Sequence, residues 1–210
     1  MEHLIDEARA AIPPAIRDAE KYGTRSLYGF KSMFKTDKAV PLVTTMLRNV
    51  AALKALPNLQ PFPQYLQKPH FACATAESVH RYPFIPYDPL ISCEIGQVSS
   101  FYIGNTVYIF LCPTFWALPP HPEEPPPTGC CPEVKNNAFK VYPGYEVYNY
   151  QSYVILHELV HFYLQLMSLS GLTIPPEQYS MNGCVGLDYV TSLLNPLNIQ
   201  TYVASKYTHS

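Results

Sequence analysis

Charge is what this chain has least of. Only 14% of its residues are Asp, Glu, Lys or Arg, 14 basic against 16 acidic, for a formal net charge of −2. With no basic stripe, neither nucleic acid nor an anionic membrane surface is an expected partner. Long apolar runs are missing too, and no window approaches the roughly 18 residues that would cross a bilayer. The start, Met1-Glu-His-Leu-Ile-Asp-Glu-Ala, has neither the basic first region nor the apolar run of a secretory signal, and reads as an amphipathic helix. Cys-x-x-Cys pairs, which mark many structural zinc sites, are absent, as are internal repeats and any linker long enough to separate domains.

What is present suits one packed unit over 1–210, since 48% of the 210 residues are apolar and can bury a sizeable core. The unusual counts are 22 prolines and 17 tyrosines. Proline restricts the unfolded chain, and tyrosine packs while staying wettable. Both suit an extracellular protein, as do six scattered cysteines, 73, 93, 112, 130, 131 and 184, which lead us to expect disulfides. Cys130 and Cys131 are adjacent and should serve different partners, with Cys112 the nearest candidate for one of them. We therefore expect a secreted monomer whose true start lies upstream, with a cytoplasmic protein carrying free thiols as the alternative.

Residues 1–57 form a helical region. Leu4, Ile5, Ala8 and Ile12, then Ile16, Ala19 and Tyr22, keep helical spacing around Pro13-Pro14, which must break or kink the run. A further helix over about 39–55 stops before Pro57. In 58–210 the texture changes. Ile91-Ser-Cys-Glu-Ile, Phe101-Tyr-Ile and Thr106 to Cys112 read as strands of a small antiparallel or mixed sheet, with Gly104-Asn105 as a hairpin signal. The proline-rich 118–132 segment should be a surface loop tied by cysteine. A buried helix from about Asn149 to Ser170, capped by Gly171, a loop over 174–183 and a short helix over 197–206 complete an α+β chain.

The buried helix carries the chemistry. His157-Glu-Leu-Val-His161 lies within an unbroken apolar stretch, and four residues is about one helical turn, so both imidazoles leave one face and can share a metal ion. Glu158 sits beside that face, able to reach a metal-held water without being a ligand. Two imidazoles and a carboxylate among Val, Leu, Ile, Phe and Tyr would be costly to bury without a partner, and a metal supplies one.

A catalytic zinc usually takes three protein ligands and a water, so another donor must come from elsewhere. After His161 the acids are Glu177 and Asp188, with His209 a remote third option. No histidine follows closely enough for the long three-histidine plan. Glu177 follows Pro175-Pro176 in a loop, which fits poorly with a glutamate ligand on a second helix.

At this point the chain resembles the deuterolysin and peptidyl-Lys metalloendopeptidase group, the aspzincins, and in particular fungal proteins with that peptidase domain. In that family His-Glu-x-x-His is followed by Gly-Thr-x-Asp-x-x-Tyr-Gly, whose Asp is the third zinc ligand, and by a closing Asn-x-x-x-Tyr helix. Gly171-Leu-Thr-Ile-Pro-Pro-Glu-Gln-Tyr179 and Asn198-Ile-Gln-Thr-Tyr202 are similar to these two elements. The Asp itself is missing. Glu177 lies two residues before Tyr179, where the family has Asp three before its Tyr, and Ser180 stands where the family has Gly. Glu177 leads as third ligand and Asp188 follows.

The resemblance implies a zincin-like metalloprotease fold and a zinc-dependent endopeptidase acting on protein or peptide substrates. Zn2+ would be held by His157, His161 and Glu177, with Asp188 as runner-up. Glu158 would be the general base, and Tyr179 would steady the developing oxyanion. By analogy, the Thr106 to Leu111 strand would pair with an extended substrate. The altered third-ligand element favours a rival, a non-catalytic zinc-binding or surface-interaction protein that keeps the fold.

Overall fold

The computed structural model describes residues 1–22, 30–53, 68–103, 106–120, 134–135, 138–139, 150–168 and 173–206. The N-terminal region is helical as expected: α1 (Glu2–Ala10), α2 (Ile12–Tyr22), α3 (Phe30–Phe34) and α4 (Val40–Ala52). The break between the first two falls at Ala11, just ahead of the proline pair. Pro13 and Pro14 instead occupy the first turn of α2, where amide hydrogens have no helical acceptor and proline is tolerated. In α4, Val43, Met46, Leu47 and Val50 are buried at helical spacing, and Leu53 stops the helix in the left-handed region at φ 49°.

Three strands form the main sheet in the order β1 (His70–Cys73), β3 (Tyr108–Leu111), β2 (Ser100–Tyr102). β1 runs parallel to β3 and β2 antiparallel to it, with Ser100 opposite Leu111 and Tyr102 opposite Ile109. The sheet is thus mixed, and β1 was not foreseen. Because β3 lies at the centre, both its edges are paired, and the expectation that it would pair with substrate is corrected. The strand that borders the site is β2.

Ile91-Ser-Cys-Glu-Ile is also corrected, for it lies in a helix, α6 (Pro89–Gly96), after the short α5 (Ser78–Arg81). Asp88 caps α6 by accepting from the Leu90 amide at 2.8 Å, and Pro89 opens it. These start signals outweigh the β-branched side chains, which can stay exposed on a helix: Ile91 and Ile95 both do. Helix α6 brings Cys93 to Cys112 in a disulfide, so Cys112 is not the partner of Cys130 or Cys131. Those two lie outside the described residues, as do Gly104-Asn105, Asn149, Gly171 and His209. Among the described residues Cys73 and Cys184 are free.

A second, two-strand ladder joins β4 (Val134–Lys135) to β5 (Ala138–Phe139). The helix read from sequence over 149–170 is α7 (Gln151–Ser168). Its first amides, from Gln151 and Ser152, donate to the carbonyls of Pro119 and Pro120, so the proline segment satisfies donors that a helix start leaves open. The loop expected over 174–183 ends at Ser180, where α8 (Met181–Gly186) begins. It is followed by α9 (Tyr189–Leu193) and α10 (Pro196–Ala204).

One core joins α1, α2, α4, α7 and α10 with the inner face of the sheet, and α7 packs against α1, α4, α10 and β2. Every residue of α10 is buried, so this helix is enclosed on all sides. A smaller cluster of Ile85, Cys93, Phe110 and Cys112 fills the other side of the sheet, where Phe101 stacks on Phe110. The result is a mixed α+β chain, mainly helical, with a three-strand sheet beside α7.

Candidate metal centre

On α7 the spacing of His157 and His161 has the effect it must have on any helix: the two rings lie on one side, centroids 4.8 Å apart. The chain then returns through the irregular stretch 173–180 and lays Glu177 across them. Glu177 Oε1 is 3.2 Å from His157 Nε2, and Oε2 is 2.9 Å from His161 Nε2. One ligand atom from each residue falls within 4.8 Å of the other two. The Glu177 side chain is only 6% exposed, and its two oxygens face the two imidazole nitrogens.

A carboxylate stripped of water and faced by two imidazole nitrogens is expensive to bury unless a proton or a metal ion lies between them. An ion bound tetrahedrally at about 2 Å sets its donor atoms roughly 3.3 Å apart, close to the two approaches seen here. These three residues therefore fit a metal ion, and the acid that joins the two histidines is Glu177, the one ranked first from the sequence. Asp188 has a different task. It is exposed and caps α9, accepting from the Thr191 amide at 3.0 Å and the Thr191 hydroxyl at 2.7 Å.

Electrostatics follow from this geometry. Burial would raise the Glu177 carboxyl, but the two imidazoles beside it outweigh burial and hold it down at about 2. Burial likewise disfavours the charged form of His157, and it is overcome by Glu177, Glu158 and Gln200, which together raise this imidazole above its ordinary range. Tyr179 is pushed up to about 12 by burial and by the negative charge of Glu177.

Three residues that support the centre were not singled out from the sequence. Gln200 Nε2 donates to the Tyr153 carbonyl at 3.0 Å, which leaves Gln200 Oε1 facing His157 Nδ1 at 2.9 Å. An amide oxygen only accepts, so Nδ1 carries the proton and the neutral ring presents its Nε2 lone pair to the cluster. Asn195 accepts from the Gln178 amide at 2.9 Å and donates to the Gln178 carbonyl at 3.3 Å, gripping the backbone one residue beyond Glu177. Ser100, 8% exposed on β2, donates to Glu158 Oε1 at 2.7 Å. The available signal was a polar residue inside an otherwise apolar helix: Asn198 and Gln200 sit among Leu197, Ile199 and Val203, and buried amides need partners.

Glu158 is 4% exposed, and its Oε2 is buried without a hydrogen bond. It opens with His157, His161 and Tyr179 onto a cleft of about 430 Å3, walled on the sheet side by residues 97–102 and on the helix side by Val154. Chemically, the arrangement offers two imidazoles and a carboxylate as possible metal donors, a second carboxylate with an unpaired oxygen, and an exposed tyrosine in the lining. No protein-family model matches this chain, and no curated protein matches it.

Proposed function

We propose that this protein is a zinc-dependent endopeptidase of zincin-like fold, built on the aspzincin plan with Glu177 in place of the Asp ligand. The observation that carries the reading is the buried, unpaired oxygen of Glu158 beside the converging His157, His161 and Glu177. Imidazole nitrogen with carboxylate oxygen suits zinc, and three donors leave a position for water. Zinc, when bound, acidifies such a water and polarises a carbonyl.

The side chains do the remaining work. His157 and His161 would hold the metal through their Nε2 atoms, with Gln200 fixing the tautomer of the first. Glu158 takes a proton from the water and hands it to the leaving amine. Tyr179 donates its phenolic hydrogen to the carbonyl oxygen as charge builds there. Strand β2, paired on one side with β3, offers its other edge to an extended peptide. The disulfide fits a secreted protein.

Purified protein is expected to bind one zinc and to cleave denatured protein substrates. Glu158→Gln should abolish cleavage while leaving zinc content unchanged. Absence of hydrolysis by zinc-loaded wild type defeats the proposal. Tight zinc without turnover supports the rival, a non-catalytic zinc-binding protein, which the altered third-ligand element favours.

A further inference from the structure

Successive side chains on a strand point to opposite faces, so Ser100 and Tyr102 share the face of β2 that looks at α7, while Phe101 points to the smaller cluster. On α7 the matching pair is Glu158 and Phe162, one turn apart. Residues two apart on a strand are separated by about 6.7 Å and residues four apart on a helix by about 6 Å, so the two pairs lie in register. Tyr102 meets Phe162 edge-on with centroids 5.9 Å apart. That contact sets the strand along the helix and delivers the Ser100 hydroxyl to Glu158, where Oγ donates to Oε1 at 2.7 Å in a buried hydrogen bond. Oε2 is left without a partner. A serine hydroxyl has a single hydrogen to give, so the two carboxylate oxygens are made unequal.

We infer that Ser100 is the positioning residue for Glu158, holding Oε1 so that Oε2 is the oxygen that takes the proton. This rests on the zinc peptidase reading. Ser100 touches no reacting atom itself. It fixes the rotamer of the acid that does, and it ties the position of that acid to the strand proposed to carry the substrate. A free carboxylate would sample several rotamers and meet the proton less often, which lowers turnover without weakening substrate binding.

The test compares zinc-loaded wild type, Ser100→Ala and Ser100→Thr by zinc content, by peptide hydrolysis and by binding of a peptide hydroxamate. The hydroxamate chelates the metal and passes its own proton to a neighbouring carboxylate, so it reads the placement of Glu158 without turnover. Ser100→Ala should keep its zinc, lose about tenfold in kcat with KM nearly unchanged, and bind the hydroxamate about tenfold more weakly, the effect of losing one hydrogen bond to a charged group. Ser100→Thr, which restores the hydroxyl, should recover both. If Ser100→Ala does not fold, Ser100→Cys keeps the size and weakens the donor, and it carries the same comparison. Hydroxamate binding by the alanine or cysteine variant equal to that of wild type overturns the inference. Wild type that binds zinc and hydroxamate yet hydrolyses nothing defeats the peptidase reading alone, because the binding comparison still decides the role of Ser100. Wild type that takes up no zinc defeats both.

Discussion

Gln200 Oε1 accepts from His157 Nδ1 at 2.9 Å while its own amide nitrogen is tied to the Tyr153 carbonyl. The two bonds run from the last helix of the core to the helix that carries both histidines, so the second helix sets the ring angle and tautomer of a ligand on the first. Gln200→Ala should therefore bind zinc about 10- to 100-fold more weakly, with both histidines intact. Competition against a chelator of known affinity measures the loss, and an unchanged affinity would show that His157 needs no such support.

Asn195 should matter through Glu177 without touching it. Its side chain forms two hydrogen bonds to the backbone of Gln178 and a third to Asn198 Oδ1 at 2.7 Å. Asn195→Ala releases the returning loop and leaves the Asn198 acceptor short of a donor. We expect a stability loss of about 1–3 kcal/mol in the metal-free protein by denaturant unfolding. Zinc affinity should fall as well, because the third donor is no longer held over the two rings.

Zinc uptake should depend on pH in one direction. In the metal-free protein the acidic neighbours of His157 raise its imidazole, so a proton competes for the nitrogen that must bind metal. Glu177, held at about 2, is already ionised across the same range and adds no competing proton. Affinity should consequently drop as pH falls through the range in which His157 protonates. Calorimetric titration in buffers of different ionisation enthalpy should show protons released on binding, with more released at pH 6 than at pH 8. Uptake independent of pH would remove His157 from the ligand set.

The Cys93–Cys112 bridge links α6 to the end of β3 across a sequence separation of 19. Closing a loop of that size constrains the unfolded chain by about 3 kcal/mol. Cys93→Ser or Cys112→Ser should lose stability of that order in denaturant unfolding under non-reducing conditions. Zinc content should be retained, since the bridge lies on the side of the sheet away from α7.

The His157–His161 pair was legible in the sequence because its geometry is local: four residues on one helix fix where two side chains go. Glu177 was placed ahead of Asp188 as third donor only by a narrow margin, because that choice depends on how a loop returns to the helix, and Asn195, eighteen residues after Glu177, grips the chain there. Two errors have different physical origins. The β-branching of Ile91 and Ile95 points to a strand, while Asp88-Pro89, a cap followed by a helix-opening proline, is the start signal that prevails. Strand β1 escaped notice because His70-Phe-Ala-Cys73 has no alternation of its own, and its register is set by the distant β3. Cys112 stands almost equally far in sequence from Cys93 and from Cys130, and its pairing with Cys93 follows from where the chain places α6.

Helix α10 has one more consequence, for the order of events during synthesis. A ribosome delivers residues 157–161 well before it delivers 195–204, and until Asn195 and α10 dock, the His157–Gln200 hydrogen bond and the Asn195 grip on Gln178 are both missing. A growing polypeptide therefore passes through translation with its His157–His161–Glu177 cluster incomplete, and any metal uptake there would wait for α10 to emerge and seat.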